Sequence, residues 1–113
     1  MTELQALLTS IAVEGVAAYG LVRATAWPCR GSGHAAVAIA IATCVTHPQA
    51  WAAAEWLYPR LGYEAAFAAI EVVVILAEAA IVHWGCGLAA RRALAVSALA
   101  NAASASVGLL LDG

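Results

Sequence analysis

Four long runs of apolar residues, each interrupted by only a few polar positions, dominate the chain. They cover about 3–27, 34–57, 63–84 and 93–111. A helix rising 1.5 Å per residue needs about 20 residues to cross a hydrocarbon core of roughly 30 Å, and each run reaches that length. The breaks between them carry turn chemistry: Pro28-Cys29-Arg30-Gly31-Ser32-Gly33, then Tyr58-Pro59-Arg60-Leu61-Gly62, then Gly85 to Arg92 with two glycines and two arginines. The pattern predicts four transmembrane helices with short connections, so that neighbours in sequence run antiparallel. Glu14 in the middle of the first run, and the lack of a basic segment before it, argue against a cleaved signal peptide.

Composition narrows the class. Of 113 residues, 65% are hydrophobic and 11% charged, against roughly 45–50% and about 25% in an average soluble domain. A single all-α membrane domain over 1–113 is expected, with the lipid bilayer as its surroundings. There is no lysine, the net charge is −2, and no basic cluster exists to follow a phosphate backbone, which excludes nucleic acid as a partner.

Arginine placement sets an expected orientation. Arg23 and Arg30 flank the first connection and Arg91 and Arg92 lie in the third, while the second has only Arg60. By the positive-inside rule the first and third connections face the cytoplasm and both termini lie outside, in the inner or plasma membrane of a prokaryote. Trp51, Trp56, Tyr58 and Tyr63 then form an aromatic belt at the outer interface.

Polar residues inside the spans need a reason, since a charge at the bilayer centre costs about 2.5–3.5 kcal/mol on insertion scales. The first run holds Glu14, the second Thr46 and His47, the third Glu71 and Glu78, and the fourth Ser97, Asn101 and Ser104. Glu55, Glu64 and His83 lie near helix ends, within reach of interfacial water. Counting inward at 1.5 Å per residue places Glu14, His47 and Asn101 about 15 Å deep and Glu71 about 12 Å, one group from each helix in a common layer. Glu78 and Ser97 come out about 21 Å deep, in a second, inner layer. Glu64, Glu71 and Glu78 recur every seven residues and share a helix face. Ser97, Asn101, Ser104 and Gly108 make a small and polar stripe suited to close helix packing.

Pro48 removes a backbone donor and disfavours helical geometry at His47, so helix two is expected to kink or break there. In the stronger form a half-helix begins at Pro48, with Thr46 or His47 near its N-cap and its dipole pointing at the carboxylates. Glu14, Thr46, His47, Glu71, Glu78 and Asn101 together form the candidate ligand or proton site. His47, Glu71 and Glu14 are the candidate metal ligands, and a divalent cation is the cofactor such a set would take. Closely spaced carboxyls in a poorly solvated interior do not all ionise at once. The plainer reading is that the same groups satisfy one another and hold helices together.

Cys29, Cys44 and Cys86 are odd in number and lack CxxC spacing, so no structural disulfide is expected. Cys29 and Cys86 can be drawn as two thiolate ligands, but unpaired cysteines in apolar surroundings are the commoner case.

The pattern Thr46-His47-Pro48-x-x-Trp51, followed by Glu71 and Glu78 and then Arg92-Ala93-x-x-x-Ser97-x-x-x-Asn101-x-x-Ser104-x-x-x-Gly108, resembles a group of small, functionally uncharacterised bacterial integral membrane proteins. That resemblance spans three helices and implies no activity. Length, four helices and a glutamate in helix one are similar to small multidrug resistance transporters. Paired glutamates in helix three and the missing aromatic motifs depart from that family, so none of its drug-binding residues carries over.

These readings lead to a function in handling a proton or small cation, a divalent metal included, within the membrane. The alternative is a structural or assembly subunit joining a homo-oligomer or larger complex through its Ala, Gly and Ser surfaces. Neither a nucleophile with its base nor a phosphate-binding loop is evident, which leaves an enzyme as the least expected class.

Overall fold

The computed structural model describes residues 1–112. Gly113, the last position of the expected single domain, lies outside them. Four helices account for nearly all of the chain: α1 (Glu3–Thr25), α2 (Ser32–Leu61), α3 (Tyr63–Cys86) and α4 (Ala90–Asp112). All four are long and apolar enough to cross a membrane. The result is an all-α bundle compatible with a multi-pass membrane protein.

Local chemistry sets the helix ends. Thr2 and Gln5 form a reciprocal capping box at the start of α1: the Gln5 N–H donates to Thr2 Oγ1 at 3.2 Å and the Thr2 N–H to Gln5 Oε1 at 2.9 Å. α1 stops at Ala26, whose φ of 54° is left-handed and whose N–H closes on the Val22 carbonyl at 2.9 Å. α3 stops in the same manner at Gly87, with φ 82°. Between α2 and α3 stands Gly62 alone, at φ 83°, a backbone conformation that an L side chain rarely adopts.

α2 departs from expectation in two ways. It is unbroken from Ser32 to Leu61, with Pro48 and Pro59 both inside it. No half-helix starts at Pro48, and no helix end there aims its dipole at the carboxylates. Intramembrane helices tolerate proline where freed carbonyls find other donors. Around this one, Thr43 Oγ1 donates to the Ile39 carbonyl at 2.8 Å and Thr46 Oγ1 lies 3.0 Å from that of Ala42, whereas the carbonyl that Pro48 deprives of its usual donor is that of Cys44. Near Pro59, Arg60 Nη1 donates to the Trp56 carbonyl at 2.6 Å, and its guanidinium lies 4.0 Å from the Trp56 ring centroid. The helix runs one turn beyond the predicted end at 57.

The helices pack in a closed ring: α1 against α2, α2 against α3, α3 against α4 and α4 back against α1. The bundle measures 43 × 24 × 19 Å. Its interior is built from small side chains, among them Ala18, Ala35, Ala42, Ala93 and Ala100, while Val16, Val73, Leu76, Leu99 and Leu110 point outward. Small inside and large outside is the arrangement suited to lipid, where close backbone approach and van der Waals packing drive helix association.

At one end the first and third connections are tied together. The Arg30 N–H donates to the Cys86 carbonyl at 2.8 Å and Arg30 Nη1 to Gly85 at 3.2 Å, with Leu88 wholly buried beneath. The Arg92 guanidinium lies 5.6 Å from the Trp27 ring centroid. Around Gly62 at the opposite end, Tyr63 packs tilted against Tyr58 and stacks on Phe67, with centroids 5.1 and 5.7 Å apart.

Candidate functional site

Each helix brings a short run of polar side chains to the bundle axis. On α1 Ser10 and Glu14 are one turn apart. On α2 Thr43, Thr46, His47 and Ala50 follow the i, i+3, i+4, i+7 spacing of one face. α3 contributes Glu71 and Glu78, and α4 Asn101 and Ser104. All of these residues line one cavity of about 200 Å³.

Glu78 is its hub. Only 1% exposed, it accepts one hydrogen bond from Thr46 Oγ1 on α2 at 2.7 Å and another from Asn101 Nδ2 on α4 at 2.8 Å. Asn101 Nδ2 donates also to the Ser97 carbonyl at 2.9 Å, and Ser97 Oγ donates across to the Ile75 carbonyl on α3 at 2.7 Å. Glu14 is equally enclosed at 2%. The Thr43 hydroxyl lies 3.3 Å from its carboxyl, and Glu78 and Ser104 line the same cavity. Since α1 and α3 stand diagonally across the ring, the two carboxyls meet at the centre. Two carboxyls can share a hydrogen bond only when one of them carries the proton.

His47 is half-buried, with its ring stacked on Trp51 at a centroid distance of 6.0 Å. Its Nδ1 is buried and has no hydrogen-bond partner. Glu71, two turns from Glu78 on α3, lines the same cavity and is half-buried.

The predicted site residues Glu14, Thr46, His47, Glu71, Glu78 and Asn101 are therefore brought together. Two expectations are corrected. Glu78 belongs to the central layer rather than to a separate inner one. His47, Glu71 and Glu14 do not form a metal site: among the described residues, no group of three His, Cys, Asp or Glu side chains is disposed to hold a metal ion. Of the packing stripe, Ser97 bonds between helices as expected, Ser104 lines the polar cavity with Glu14, and Gly108 lines a separate small cavity of about 120 Å³ beside Met1 and Thr9. Thr43 and Ser10 had not been singled out. The signal for them was their spacing on the same faces as His47 and Glu14.

An apolar cleft of about 460 Å³ between α2 and α3 shares Thr46, Ala50, Ile70 and Val74 with the polar cavity. The fold and site thus define a four-helix bundle with membrane-spanning helices and an enclosed carboxyl pair. Comparison with protein-family models, curated proteins and solved structures found no match to this chain.

Proposed function

We propose that this chain handles a proton or a small hard cation at the Glu14–Glu78 pair, as a transporter or channel of a prokaryotic inner or plasma membrane. The arginine distribution supports an orientation with the first and third connections in the cytoplasm. The observation that carries the reading is the meeting of two enclosed carboxyls from diagonally opposite helices.

In a poorly hydrated interior two adjacent carboxylates repel, and the repulsion is relieved by a shared proton or by a bound cation. Exchange of one for the other is the elementary step of proton–cation coupling. The groups around the pair are hard oxygen donors: the Thr43, Thr46 and Ser104 hydroxyls, and Asn101 Oδ1, left available because the amide nitrogen makes the bonds to Glu78 and Ser97. Such a set suits a proton or an alkali cation, not a soft transition metal.

Proteoliposomes enclosing a pH-sensitive dye test the proposal. An inward sodium gradient is expected to drive proton efflux with the wild type and not with Glu78→Gln, which keeps the side-chain shape without the titratable proton. Equal flux in the two proteins, or no flux with a correctly folded wild type, would overturn it and favour the reading of a structural subunit.

A further inference from the structure

At the end of the bundle remote from Gly62, two sulfurs hydrogen-bond to the backbone of one residue, Gly31. The Gly31 N–H donates to Cys29 Sγ at 3.3 Å, and Cys86 Sγ donates to the Gly31 carbonyl at 3.6 Å. The backbones carrying them are locked in register by the Arg30 N–H on the Cys86 carbonyl and by Arg30 Nη1 on Gly85. Cys29 packs against the buried cluster that contains Cys86, and the contacts of both sulfurs with Gly31 bring the two thiols to the same spot. Cys44, by contrast, is exposed on the outer surface of α2.

We propose that Cys29 and Cys86 form a dithiol site that exchanges with low-molecular-weight disulfides and closes to an intramolecular disulfide between the first and third connections. The two sulfurs have different access. Cys29 is half-buried and Cys86 wholly buried, so a solute meets Cys29 first and Cys86 can react only with what Cys29 has already taken up. Cys29 attacks as its thiolate, breaking the S–S bond of the incoming disulfide. One small thiolate leaves and takes up the proton that Cys29 lost. Cys86 then gives up its proton, attacks the Cys29 sulfur of the mixed disulfide and expels the second small thiolate, which becomes a thiol. The net change is one small disulfide reduced to two thiols and two protein thiols oxidised to one disulfide, with two electrons transferred. The ring so closed links the α1–α2 connection to the end of α3, a long loop of the kind whose closure restrains the unfolded chain.

The measurement is intact-protein mass spectrometry on full-length protein in detergent, in a Cys44→Ala background, after incubation with oxidised glutathione. The parent is expected to lose two hydrogens and retain no glutathione. Changing Cys86 to Ser should trap one glutathione on Cys29, and changing Cys29 to Ser should leave Cys86 unreacted. A glutathione adduct that persists on the parent, disulfide-linked dimers, or no reaction at either thiol would each overturn the proposal. The parent protein alone decides if either serine variant fails to fold.

Discussion

Asn101 reaches Glu78 from the neighbouring helix with a 2.8 Å hydrogen bond, and the same nitrogen holds the Ser97 carbonyl one turn earlier on its own helix. One amide thereby fixes the position of an enclosed carboxyl relative to α4. Asn101→Ala would leave Glu78 Oε1 without that donor, at a cost of about 1–3 kcal/mol for an unsatisfied buried polar group. Unfolding in detergent followed by tryptophan fluorescence should show the loss. Asn101→Asp, which sets a third acid against the pair, should cost more than the alanine.

The carboxyl pair predicts a proton count. If a cation displaces the proton that Glu14 and Glu78 share, each binding event releases about one proton. Titration calorimetry in two buffers of different ionisation enthalpy reads this directly, because the apparent heat shifts with the buffer in proportion to the protons released. Glu14→Gln should remove the shift. A wild-type heat independent of buffer would rule out the coupling.

Continuity of α2 through Pro48 makes that proline a local cost rather than a design element of the site. Pro48→Ala supplies an N–H to the Cys44 carbonyl and relieves the ring clash, so stability should rise by about 1–3 kcal/mol with the cavity unchanged. A lower melting temperature in detergent would mean that another donor already serves that carbonyl.

Ala26 holds a left-handed backbone at φ 54°, a conformation costing a residue with a Cβ about 1–2 kcal/mol. Glycine relieves this while losing some chain entropy on folding, so Ala26→Gly should raise stability by about 0.5–1 kcal/mol. Gly62→Ala, at φ 83° and ψ 161°, should lower it by about 1–3 kcal/mol. Paired melting curves check both signs.

The four spans and the residues of the polar cavity were legible because hydrophobic run length and intramembrane polar groups are strong, nearly context-free signals. Depth was less legible. Counting residues from helix ends assumes that the ends are flush, yet Glu14 is 11 residues from the start of α1 and Glu78 is 15 from the start of α3. Their meeting therefore requires an offset of four residues, about 6 Å, between those ends. The offset reflects an α2–α3 hairpin that overhangs by a turn because α2 runs through Pro59 to Leu61. Of the kink or break expected at Pro48, the break does not occur, for a related reason. Proline propensity is local, whereas the packing of the neighbouring helices on both sides of α2 decides whether the backbone tolerates it. The juxtaposition of Cys29 and Cys86 depends on a contact between two connections far apart in sequence, which no local pattern announces.

The closed ring of helices has a topological consequence. With α4 packed against α1, every helix has a neighbour on both sides, and the beginning of α1, the Gly62 joint and the end of α4 all lie at the same end of the bundle. The order of the helices around the circle is therefore separable from the order in which the chain visits them. A chain cut at Gly62, with the end of α4 spliced to the beginning of α1, would visit the same circle from a different starting point. Each helix would keep its direction across the bilayer, and the two carboxyls would still face each other over the centre.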